Sequence, residues 1–208
     1  MVGTFNLKKV LAVNLKHQFK GPFFAALVVV MLTPVFYNVS ALSYLTSARP
    51  LELFFLWTGG VLLTPICLLE QDQNLRDCIR VRKMNYYMIC LIRIVYSVVT
   101  LLVMEGLFVI YMKISQCDVT VWHFIGGSAT ALFFGCLGFF AAGITRNVIA
   151  GYMIQMIFYV MNYGLKDKMG VFYLFSMSFG SFYEKWWLLF FSAVLITGAF
   201  LGMKLRDR

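Results

Sequence analysis

Charge is scarce in this sequence. Of 208 residues, only 13% are Asp, Glu, Lys or Arg, about half the roughly 25% of an ordinary globular domain. With 61% hydrophobic residues, a water-soluble fold of this length could not hide its apolar surface. Histidine is rarer still: His17 and His123 are the two in the chain. The five cysteines, Cys67, Cys78, Cys90, Cys117 and Cys136, have no C-x-x-C spacing, which argues against a disulfide framework and a thiolate metal site. No G-x-x-x-x-G-K-[ST] loop, H-E-x-x-H pair, nucleophile elbow or paired-carboxylate cluster can be assembled. The chain is therefore expected to lack catalysis and to be unable to hydrolyse ATP alone. The net charge of +9 forms no continuous basic stripe, so nucleic acid is not an expected partner.

What the sequence has instead is long uncharged runs. A hydrocarbon layer about 30 Å thick needs about 20 apolar residues per helical crossing, and such runs recur throughout. They predict an all-α integral membrane protein, a single domain with six transmembrane helices at 22–46, 53–69, 86–112, 120–144, 147–165 and 186–203. Before the first, residues 4–20 place Lys9, Lys16 and Lys20 opposite Leu7, Leu11 and Leu15, which reads as an interfacial helix or as a charged lead-in to the first span. The first apolar run exceeds the 7–15 residues of a cleavable signal peptide, so it is expected to remain. Pro34 should kink that span, and Arg49 to Glu52 reads as a short turn closing a helical hairpin.

Between the second and third spans lies the only charge-dense stretch, residues 70–83. It holds Glu70, Asp72, Arg76, Asp77, Arg80, Arg82 and Lys83. Asp72 with Arg76 and Arg76 with Arg80 are i, i+4 neighbours, while Leu75 and Ile79 form a separate apolar strip, which predicts a short amphipathic helix. Arg93 and Glu105, on the third span, lie about 18 Å apart along the axis and cannot pair. Arg93 can snorkel to headgroups, whereas Glu105 must face protein, water or the interface.

The fourth span spaces Gly127, Ala131, Gly135, Gly138 and Ala142 for close helix contact, predicting an interior position. The fifth carries Asn147, Gly151, Gln155 and Asn162 on one face. Residues 169–183 are apolar but too short to cross, so they read as interfacial or re-entrant. Trp186 and Trp187 then mark an aromatic belt, and Gly198 and Gly202 form a G-x-x-x-G pair. Thirteen of the eighteen Lys and Arg fall on one side of this topology, placing both termini in the cytoplasm. The intramembrane polar residues Asn38, Gln155, Asn162 and Glu105 are candidates for a transport pathway or dimer seam. For the amides, the competing role is an interhelical hydrogen bond worth roughly 1 kcal/mol. Glu105 and His123 are isolated titratable groups, with either a structural or a proton-linked role open to them.

This layout of interfacial helix, hairpin, charged cytoplasmic helix and outer re-entrant segment resembles the permease subunits of type-2 ABC exporters, similar to small Gram-positive peptide-exporter permeases. The resemblance spans the full chain and rests on layout and on the opening EQDQNL of residues 70–75. It implies that Glu70, Asp72, Leu75, Arg76, Ile79, Arg80 and Arg82 form a coupling helix docked on a cytoplasmic ABC ATPase. That partner would bind ATP and Mg, with no cofactor in this chain. It also implies a second permease copy or paralogue, a plasma-membrane location and alternating access, with an amphipathic peptide as the substrate class. The alternatives are a substrate-capture subunit of an energy-coupling-factor importer and a membrane-embedded enzyme using Glu105 and His123.

Overall fold

The computed structural model describes residues 19–66 and 86–206. The expected interfacial helix at 4–20 lies almost wholly outside the described residues, and the expected coupling helix at 70–83 lies entirely outside them. Within them the structure is helical with no strand. We label six helices: α1 (Lys20–Phe36), a composite α2, α3 (Tyr86–Ile114), α4 (Val121–Thr145), α5 (Val148–Leu165) and α6 (Tyr183–Arg206). Composite α2 consists of one turn at Ala48–Pro50, a π-helical stretch Leu51–Phe55 and an α-helix Leu56–Leu63. Two 3₁₀ segments, Lys166–Phe172 and Met177–Phe179, precede α6.

Among the described residues four helices are long and apolar enough to cross a membrane: α4, α5 and the stretches Met88–Ile114 of α3 and Tyr183–Leu205 of α6. Their exposed faces are apolar. On α3, Leu91, Val95, Val99, Val103 and Leu107 form one outward stripe, which suits lipid as the surrounding solvent. At 17 residues, α1 rises about 25 Å, short of a full crossing unless the bilayer thins.

Two expectations about the first hairpin need correcting. The apolar run expected to be helical to residue 46 stops at Phe36, where Tyr37 turns extended. Beyond it the backbone bonds to the α3–α4 connection instead: Ala41 N–H donates to Ser115 O and Asp118 N–H to Leu42 O. Residues 49–52, expected as a turn, are helical. Pro50 sits in the first turn of α2, where its missing N–H would have had no intrahelical partner anyway.

Helix α4 is the axis of the bundle. In its most apolar window 72% of residues are buried, against 22% for α5 and for α6. Small residues make this possible. A Cβ added to Gly59 of α2 would lie 2.0 Å from the Ala131 carbonyl oxygen, and one on Gly151 of α5 would lie 2.7 Å from that of Gly138. Gly198 and Gly202 of α6 face Phe140 and Ile144. The reversal from α4 to α5 takes two residues: Arg146 in the left-handed region at φ 55°, then Asn147, whose side chain caps α5 by accepting from Ile149 N–H at 2.9 Å.

The α1–α2, α3–α4 and α5–α6 connections meet at one end of the bundle. There His123 reaches Tyr44 O at 2.9 Å, and Tyr44 and Phe182 pack as tilted rings. In the same layer, Met177 fills the space a side chain at Gly126 would take.

Candidate functional site

Two buried carboxyl groups approach the first turns of α4 from different helices, and their surroundings are opposite. Glu52 lies inside the π-helical stretch of α2 and is completely buried. Its Oε1 accepts from Met177 N–H at 2.8 Å and pairs with Lys185 Nζ at 2.7 Å. Its Oε2 accepts from Ser178 N–H at 3.1 Å and Ser178 Oγ at 2.7 Å. Those four contacts use the full acceptor capacity of a carboxylate. Lys185, in the first turn of α6 and 2% exposed, is equally spent. Besides Glu52 it donates to Thr130 Oγ1 at 2.8 Å and to Leu174 O, three partners for three N–H groups. Thr130 passes its own proton to Gly126 O at 2.8 Å. One connected set of bonds thus joins α2, α4, α6 and the Leu174–Ser178 segment.

Glu105 of α3 is also fully buried, and among the described residues no side chain hydrogen-bonds either of its oxygens; the polar group that bears on it is the Ser128 backbone N–H of α4. Its carboxyl group presses on α4 where Gly127 leaves room: a Cβ there would lie 2.3 Å from Glu105 Oε1 and 3.6 Å from Leu51 Cβ. The Ser128 hydroxyl is engaged with Ile125 O at 2.9 Å in its own helix.

The other candidates are scattered. Gln155 is completely buried and donates to Phe134 O at 2.7 Å, while its Oε1 has no partner. A Cβ on Gly138 would meet Gln155 Nε2 at 2.2 Å and Thr64 Oγ1 at 2.3 Å, so these polar groups converge over that glycine. From Gly127 to Gly138 is about 16 Å along α4, which keeps Gln155 well away from Glu105. Asn162, also buried, accepts from Leu174 N–H at 2.9 Å and donates to Phe158 O at 3.2 Å. The polar face of α5 therefore turns inward, with both amides bonded within the chain. Asn38 is exposed in the α1–α2 connection, where its Oδ1 accepts from Ser40 Oγ at 3.2 Å.

His123 is buried, and its Nδ1 accepts from Thr120 N–H at 3.2 Å at the start of α4. Since Tyr44 O can only accept, the other ring nitrogen carries the proton, and both nitrogens are engaged. Arg93 is buried, with Nη1 donating to Ile66 O at 3.4 Å. The coupling-helix candidates Glu70, Asp72, Leu75, Arg76, Ile79, Arg80 and Arg82 lie outside the described residues. Among the described residues no group of three or more His, Cys, Asp or Glu side chains could hold a metal.

Sequence reasoning passed over Glu52 and Lys185, assigning one to a turn and the other to the outer charge count. Their signal was present. Each is a charge at the edge of an apolar run, the signs are opposite, and the topology places both at the same end.

Between α1 and α3 runs an apolar groove of 640 Å³, lined from α1 by residues such as Leu27 and Met31 and from α3 by Val103 and Leu107. Thr100 contributes no free polar atom to it, because its hydroxyl bonds Tyr96 O at 2.8 Å.

Fold and site together define a helical bundle built for an apolar surrounding, with Glu52, Arg93, Glu105 and Lys185 turned inward. No family model, curated protein or solved structure matches the chain.

Proposed function

We propose that this chain is the membrane-spanning permease subunit of an ATP-driven ABC exporter, seated in the cytoplasmic membrane with both termini inside. In this reading α1 and composite α2 are the first two of six crossings. The charged segment at 70–83 docks on the ATPase through Glu70, Asp72, Leu75, Arg76, Ile79, Arg80 and Arg82. ATP and Mg belong to that partner. The observation that carries the reading is the order of parts: a hairpin, a charge-dense connection, then four long helices, the last two separated by the broken segment Lys166–Phe179.

The latch formed by Glu52 and Lys185 supports it, because it ties that broken segment to α2 and α4 at the closed end of the bundle. An exporter needs such an end to open only when a substrate is released. Alternating access would then require this end to yield while the opposite end tightens. A second permease copy completes the pathway, and an amphipathic peptide is the substrate class.

The test is purification of the tagged chain from its native membranes in mild detergent, with and without charge reversal at Arg76, Arg80 and Arg82. Recovery of an ATPase with the unmodified chain, and its loss on reversal, is the expected result. If no nucleotide-binding protein co-purifies, the permease reading fails. High-affinity small-molecule binding by the chain alone would then favour a capture subunit.

A further inference from the structure

Among the buried ionisable groups near the first turns of α4, Glu105 has no role in the latch and, among the described residues, no charged or side-chain partner; only the Ser128 backbone N–H bears on it. Its setting restricts what can neutralise it. An ionised carboxylate surrounded by apolar groups is costly unless paired or well hydrogen-bonded, and among the described residues Glu105 has no cation and no side-chain donor, with one backbone N–H, of Ser128, against it. A metal ion or an ammonium group would need coordinating atoms and space. On the α4 side Oε1 lies 2.3 Å from where a Cβ on Gly127 would sit, with Leu51 Cβ 3.6 Å from the same point, which leaves no room there for an ion, and among the described residues no group of three His, Cys, Asp or Glu could hold a metal.

The charged and titratable groups on the neighbouring helices are committed elsewhere. On α4, His123 is held by Thr120 and Tyr44. On α2, Glu52 is saturated by Lys185, Met177 and Ser178. Lys20 of α1 is exposed at the start of its helix. The one positive charge that occupies no volume is a proton.

We propose that Glu105 is a proton-binding site: its carboxyl group is held protonated while α3 and α4 are packed at Gly127, and it loses the proton when they part and water reaches it. Proton release and helix separation are then linked, since whatever charges Glu105 disfavours the packed state. This goes beyond the permease reading and does not depend on it.

The test is infrared spectroscopy of the purified full-length chain in lipid nanodiscs at neutral pH. A protonated carboxyl group gives a carbonyl stretch distinct from the carboxylate bands. The expected result is such a band in the wild type, lost entirely in Glu105→Gln and retained in Glu52→Gln. The chain has only four glutamates, Glu52, Glu70, Glu105 and Glu184, so ¹³C-labelling of glutamate in the unmutated protein should shift the band even if a variant fails to fold. The proposal is overturned if the wild type shows no protonated-carboxyl band, if the band survives Glu105→Gln, or if glutamate labelling leaves it unmoved. Removal of the band by added sodium at constant pH would also overturn it, because the site would then take a metal cation.

Discussion

Glu52 and Glu105 present the same functional group to the same stretch of α4, from neighbouring helices, and both are fully buried. Around Glu52 the chain provides an ammonium group, two backbone N–H groups and a hydroxyl. Around Glu105 it provides the bare backbone of Gly127 and a single backbone N–H, that of Ser128. A buried ion pair is weak evidence of net stability, since desolvation can outweigh attraction, but breaking one by removing a single partner is costly. The first region is therefore intolerant of partial change. The second has little to lose except the close contact of α3 with α4.

The largest effect expected from this difference is at Lys185. Lys185→Met leaves the Glu52 charge buried without its cation and should destabilise by about 3–5 kcal/mol, read from reversible unfolding in mixed micelles. The same variant should expose the Leu174–Ser178 segment to protease, because that segment's bonds run through Glu52 and Lys185. Next comes Gly127→Ala, whose Cβ would be 2.3 Å from Glu105 Oε1. A clash of this kind should cost roughly 1–3 kcal/mol and shrink in a Glu105→Ala background, as expected for sites in contact.

Pairing Glu52→Gln with Lys185→Met should cost less than Lys185→Met alone, because no uncompensated charge remains. If the double variant is as unstable as the sum of the singles, the latch is not an ionic unit and the comparison breaks. The smallest effect is expected from Glu105→Gln, which preserves shape and removes no side-chain hydrogen bond. A change under about 1 kcal/mol is the expected unfolding result, within the range of substitutions that disturb no specific contact. A loss as large as that of Lys185→Met would mean that Glu105 has a charged partner after all.

How much of this was legible beforehand depends on the kind of signal. Long apolar runs end where charges and caps begin. The expected 86–112 and 120–144 accordingly lie close to α3 at Tyr86–Ile114 and α4 at Val121–Thr145. The central place of α4 was readable from its glycine and alanine spacing, which only makes sense where backbones approach closely. The end of α1 was not readable: residues 37–46 remain apolar enough to continue, and what stops the helix is a set of hydrogen bonds to residues 115–118, more than seventy positions away. Residues 49–52 read as a turn between two apolar runs, yet they are helical, and the first turn of a helix tolerates Pro50.

The candidate site divides along the same line. Glu105 was recognisable as an anomaly because an acidic residue within an apolar run stands out locally. Its lack of a charged or side-chain partner was not, since that depends on which residue of α4 it meets. Gln155 and Asn162 could be assigned to one face of α5 by the helical period alone, but whether that face turned inward or toward a second copy required the packing around Gly138 and Leu174. By itself the sequence determined that the chain is helical and apolar and where its long helices run, because hydrophobic period and run length are local properties of the chain. The tertiary structure alone decided which carboxyl group is paired and which is not, because a partner 133 positions away, as Lys185 is from Glu52, is chosen by the packing of whole helices, which the charges at the edges of the apolar runs only hint at.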